Sequence, residues 1–122
     1  MTDPVSEFIR AFNEGDLDAL VAVLDPEVEL HASRGLRRGR EEAREWATRP
    51  PGGVQQEIEL GEVLRGGDRS LAMITRRWHW DEDGSPAGAD EMAWLFELRE
   101  GLIRSWRPFA DRAEALRDSG FG

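Results

Sequence analysis

Apolar residues recur every three or four positions at the start of the chain, and Val5, Phe8, Ile9 and Phe12 fall on one helical stripe. Asp3 is placed to cap this helix, with Pro4 in the first turn where a missing N–H costs little. Gly15 ends it. Asp16 caps a second helix, "DLDALVAVL", in which Leu17, Leu20, Val21 and Leu24 repeat the stripe until Pro26 closes it. From Glu27 the period changes to two, with Val28 and Leu30 alternating against Glu27, Glu29 and His31. A loop through "SRGLRRG" leads to a third helix over about Arg40–Thr48, whose Glu41 and Glu42 suit the positive end of the helix dipole. Trp46 is its one large apolar side chain, and "RPPGG" stops it.

The second half reads as strands over roughly Val54–Arg65, Ser70–Asp81, Ala89–Arg99 and Leu102–Phe109. The breaks "GGD", "DEDGSPAG" and "EG" are rich in turn formers, and such short connections favour an antiparallel meander. An amphipathic segment, "DRAEALRDSG", predicts a short C-terminal helix. Helices followed by a run of strands is an α+β pattern, and nothing along residues 1–122 separates a second domain.

Strand alternation sorts the sheet into two faces. Met92, Trp94, Phe96 and Leu98 share one, expected to lie under the helices together with Met73, Thr75, Arg77, Ser105, Arg107 and Phe109. Ile74, Trp78, Trp80, Leu95 and Trp106 fall on the other. Three exposed indoles make a larger apolar patch than a lone soluble chain usually shows, so a homodimer through this outer sheet face is expected. The covered face mixes charge with aromatic rings, which suggests a ligand cavity, since a buried charge needs a partner.

Composition narrows the classes. A formal charge of −9 opposes binding to nucleic acid or anionic lipid. No cysteine is present, and the two histidines have no metal-ligand spacing, so neither disulfide nor metal nor other cofactor is expected. No apolar run approaches the ~20 residues of a bilayer span, and "MTDPVSEF" lacks a signal-peptide pattern, so a cytoplasmic chain is expected.

The pieces "AFNEGDLDALVAVLDPEVELH", "RRGREEAREW" and "GLIRSWRPFADRAEAL" resemble the nuclear transport factor 2-like superfamily, and within it small SnoaL-like proteins related to polyketide cyclases and ketosteroid isomerases. The resemblance runs from about Pro4 to Gly120 and rests on the order of N-x-G-D-L-D-A-L and G-x-I-x-x-x-x-x-F-x-D-x-A-x-A-L. It implies N-terminal helices packed on a curved, mainly antiparallel sheet that forms a cone, commonly paired through the outer sheet face. It also implies a function among isomerases, cyclases, hydrolases, small-molecule binders and assembly modules.

Carried over residue by residue, the isomerase pattern fails three times. Phe8 stands where those enzymes use a helix tyrosine, His31 where they use a first-strand aspartate, and Trp94 where they use a second acid. No oxyanion hole of that design can form from these side chains. The epoxide hydrolase arrangement needs aspartates flanking an arginine; Arg77 and Arg107 are the inward arginines on this reading, and Asp90 the one acid near them.

The expected ligand wall is therefore Phe8, Glu29, His31, Trp46, Met73 and Thr75, continued by Arg77, Met92, Trp94, Ser105, Arg107 and Phe109. His31, held by Glu29, is the candidate acid/base. The first expectation is a small apolar or anionic ligand. A metal-independent isomerase, cyclase or hydrolase using His31 is the second, and a dimerisation module with a filled cone the third.

Overall fold

The computed structural model describes residues 3–32, 35–48, 54–80 and 83–121. Ser33, Arg34, the "RPPGG" stop and Asp81, the end of an expected strand, lie outside the described residues.

The first helices form where their caps place them. Helix α1 (Pro4–Glu14) starts on Asp3, whose carboxylate accepts from Ser6 N at 3.2 Å, and ends on Gly15 at φ 70°. Helix α2 (Leu17–Ala22) is capped by Asp16, which accepts from Ala19 N at 3.1 Å. Strand β1 (Leu24–Ala32) begins before Pro26, which therefore lies inside a strand rather than closing a helix. The strand tolerates it because pairing with its neighbour is interrupted between Leu24 and Glu29.

Where a plain loop was expected, a short strand β2 (Gly35–Arg38) pairs antiparallel with β1. Helix α3 (Gly39–Ala47) follows, then β3 (Val54–Gly66), β4 (Arg69–Trp80), β5 (Pro86–Arg99), β6 (Leu102–Phe109) and α4 (Arg112–Ser119). The six strands lie in the order β2-β1-β6-β5-β4-β3. Every pair is antiparallel except β1 with β6. This curved sheet with N-terminal helices on one side is the α+β cone that the family resemblance implies.

Both sheet faces are apolar, and each has its own cover. On the concave side α1, α2 and α3 pack over Val28, Leu30, Ile74, Trp94, Phe96, Ile103 and Trp106. On the convex side α4 covers Leu71, Ala93, Leu95 and Phe109 through Ala115 and Leu116. Arg112 pins α4 there, donating from Nε to Met92 O at 3.1 Å and from Nη2 to Ile74 O at 2.9 Å. The edge strand β3 is held by Asn13, whose amide exchanges two hydrogen bonds with the Ile58 backbone at 2.7 and 2.8 Å.

A bulge decides the facing of β6. Leu98 pairs with Ile103 but Glu97 with Ser105, so Arg104 is an extra residue and the alternation reverses across it. Ile103 therefore enters the concave core, while Phe109, an even number of residues on, enters the convex cluster.

One buried acid ties the start of β1 to the end of β5. Asp25 is 5% exposed and takes both Nε and Nη2 of Arg99, at 3.1 and 2.9 Å, plus Glu27 N at 2.8 Å. The Arg99 hydrogen bonds, then that backbone N–H, hold its carboxyl below the usual aspartate range. A folded pKa below the unfolded value of about 3.9 gives stability that is present above that value and lost as pH falls through the lower one. Thermal melts of wild type and Asp25→Asn from pH 7 to 2.5 are expected to show a lower Tm for the variant at pH 7. The gap narrows below about pH 4; a gap independent of pH would refute this role.

Candidate functional site

The cone keeps a hollow of about 250 Å³ beyond its packed base. Its wall draws on most of the fold: Phe12 from α1, Trp46 from α3, Ala32 from β1, Gln56 from β3, Arg76 from β4, Met92 and Trp94 from β5, and Trp106 and Pro108 from β6. Phe8 lies behind this wall, fully buried, with its ring 6.3 Å from Trp46, 6.2 Å from Trp94 and 5.5 Å from Phe96. Trp106 packs 4.8 Å from Trp46 and meets Trp94 edge to face at 5.2 Å and 84°. Such tilted and perpendicular contacts are the arrangements ring quadrupoles favour.

The polar groups of the wall are mostly donors. Trp94 and Trp106 are each 4% exposed, and neither indole N–H finds a hydrogen-bond acceptor among the described residues. The Arg76 guanidinium gives Nη2 to Asp90 Oδ2 at 3.0 Å and lies 4.5 Å over the Trp78 ring. Its buried Nε also lacks an acceptor among the described residues. Among the described lining residues none is a carboxylate or imidazole.

A profile of the SnoaL-like domain family matches residues 5–106. The chain belongs to the SnoaL-like family. No curated protein matches it by sequence. Solved structures share the fold of this SnoaL-like domain at low identity. A protein with a ketosteroid isomerase-like fold from Catenulispora acidiphila, in complex with trimethylamine, is 20% identical with a TM-score of 0.76, over 98% of this chain and 94% of that one. An epoxide hydrolase of the LEH-like type from M. tuberculosis is 20% identical with a TM-score of 0.74, over 93% and 84% of the two chains. An NTF2-like protein of unknown function from Burkholderia pseudomallei is 22% identical with a TM-score of 0.72, over 96% and 97%.

Within this SnoaL-like cone the expected wall residues divide. Trp46, Met92 and Trp94 do line the cavity, and Phe8 supports them from the core. The others do not lie there. His31, Glu29, Ser105 and Arg107 line a more open groove on the convex face with Glu97 and Arg104. Glu29 faces Arg38 at 3.5 Å and Arg104 at 3.7 Å. Met73 and Phe109 join the convex cluster under α4. Thr75 and Arg77 share their strand face with Met73, and exposed Arg77 pairs with Glu59 at 2.8 Å. His31, the candidate acid/base, is thus separated from the cone by the sheet itself.

The residues assigned to the outer face are corrected in the opposite sense. Ile74 and Trp106 belong to the concave core, and Trp78 lies beside Arg76 on the same side. Trp80 is 49% exposed near the strand end, and Leu95 alone is convex and buried. The indoles that argued for sheet-to-sheet pairing therefore do not form a convex patch. The physical reason is that α4 makes the convex face apolar too, so hydrophobicity does not say which face the N-terminal helices cover.

Arg76, Gln56, Phe12, Ala32 and Pro108 escaped the sequence reading. A signal for Arg76 existed. The apolar side of "DRAEALRDSG" needs a sheet face, and giving it Leu71 and Met73 turns Arg76, not Arg77, toward the cone.

Proposed function

We propose that this SnoaL-like protein binds one small, ring-sized molecule in the cone cavity. The observation that carries the reading is the pair of buried indole N–H groups, Trp94 and Trp106, left without an acceptor in the wall of an aromatic hollow. Folded proteins pair nearly all buried donors, and an unpaired one costs about 1–3 kcal/mol. An acceptor atom on a bound molecule supplies the missing partner.

The volume sets the size. About 250 Å³ lies below the ~300 Å³ at which drug-sized pockets begin, yet above the ~150 Å³ that admits benzene. One ring with a substituent fits this range. Binding is favoured over acid/base chemistry because Gln56 and Arg76 are the non-aromatic polar side chains of the described wall, and arginine does not give up its proton near neutral pH. The trimethylamine held by the C. acidiphila neighbour is in keeping with a small occupant.

The indole N–H resonances provide the test. In ¹H–¹⁵N spectra titrated with a panel of single-ring compounds, the Trp94 and Trp106 signals are expected to shift in a saturable way while that of exposed Trp80 stays in place. Ala32→Leu, which adds bulk to the wall, should abolish those shifts and leave the melting temperature within a few degrees. Shifts at Trp80 alone, or none at Trp94 and Trp106, would rule the cavity out as a binding site.

A further inference from the structure

We propose that the occupant of the cone is a monocarboxylate attached to a ring, with Arg76 as the residue that takes the carboxylate. This rests on the cavity being a binding site and adds the charge of its ligand.

Two arginines of the same chain show what is unusual about Arg76. Arg99 gives both Nε and Nη2 to Asp25, so its side-on fork is filled from within the protein. Arg10 does the same with Glu7. Arg76 places only Nη2 on Asp90, and the Nε of that same fork is buried with no acceptor. The Nε of this planar fork has lost access to water while the side chain as a whole stays 29% exposed, and a ligand carboxylate drawn to the guanidinium would accept along it in a charge-assisted pair.

The guanidinium is also held in place from below. Trp78 lies under it at 4.5 Å, in cation–π range. The residue paired with Trp78 on the next strand is Gly88, where a Cβ would stand only 3.1 Å from the indole. The missing side chain leaves Trp78 room to lie where it supports Arg76.

The rest of the wall agrees in sign. The unpaired N–H groups of Trp94 and Trp106 are donors, so they too accept no cation but bind oxygen lone pairs. Phe12, Trp46 and Met92 add large apolar and aromatic surface, which suits a ring rather than a bare anion. The chain's overall charge of −9 works against any anion, and more against a multiply charged one than against a single carboxylate, so the attraction has to come from Arg76 itself.

The test compares benzoate, benzamide and benzylammonium at pH 7 and constant ionic strength, read on the Trp94 and Trp106 indole resonances. Benzoate is expected to bind at least tenfold tighter than either of the others. Arg76→Gln should cut benzoate affinity at least tenfold and leave benzamide within about twofold. Asp90→Asn, which removes the competing acid, should tighten benzoate severalfold. Equal binding of benzamide, tighter binding of benzylammonium, or benzoate affinity unchanged in Arg76→Gln would overturn the anionic assignment while the cavity reading stands. Failure of all three probes to move either resonance would overturn both. The wild-type ranking needs no variant, so a poorly folding Arg76→Gln protein does not remove the test.

Discussion

Replacing Phe8 by alanine is expected to cost about 3–5 kcal/mol of unfolding free energy, the range for a large buried ring. The ring is fully buried and touches Trp46 from α3 and Trp94 and Phe96 from β5. Those neighbours belong to elements fixed by other contacts, so they cannot close over the space, and the cavity penalty adds to the lost burial. Domains of this size have roughly 5–15 kcal/mol in total, so about a fifth or more of the stability disappears. Chemical denaturation should show the midpoint falling with an unchanged slope. A loss under about 1 kcal/mol would mean that the base of the cone is not packed as described.

Trp106→Ala carries the second large effect, and it changes the site as well as the stability. The indole fills the space between Trp46 and Trp94, at 4.8 and 5.2 Å, so its removal should cost about 3–5 kcal/mol and enlarge the hollow by most of an indole. Added indole is then expected to restore part of the loss by mass action, about 2.7 kcal/mol at a hundredfold excess over its dissociation constant. Melting curves of the variant with and without indole measure this, with wild type as the control. A variant that melts like wild type, or that indole does not rescue, would show that the ring does not stand in the wall.

Much of the cone was legible. Asp3, Asp16, Gly15 and the strand breaks at "GGD" and "EG" act locally, so their neighbours in sequence are enough to place them. The sets that share a face within β4 and within residues 92–98 of β5 were also legible, because alternation is local geometry. Trp94 was found in the wall for the same reason, and Trp46 because it is the one large apolar side chain of α3. His31 shows where this stops. It alternates with Leu30 as expected, yet it points to the convex groove, because Leu30 pairs with Trp106 and both enter the core. Arg76 and Arg77 differ by one position, and only the choice of covered face separates a cavity cation from a surface ion pair.

The sequence by itself determined the helices, the Asp3 and Asp16 caps, the strands other than β2 and the α+β class, since each follows from periodicity and from turn chemistry within a few residues, and the family resemblance added the cone. Which side of the sheet became the cone was decided only by tertiary structure. Two faces of similar hydrophobicity compete for two sets of helices, and α4 takes one of them. The bulge at Arg104 then reverses β6, bringing Trp106 beside Trp94 and sending Ser105 and Arg107 outward. A site assembled from seven elements depends on that facing, and alternation along any one strand does not contain it.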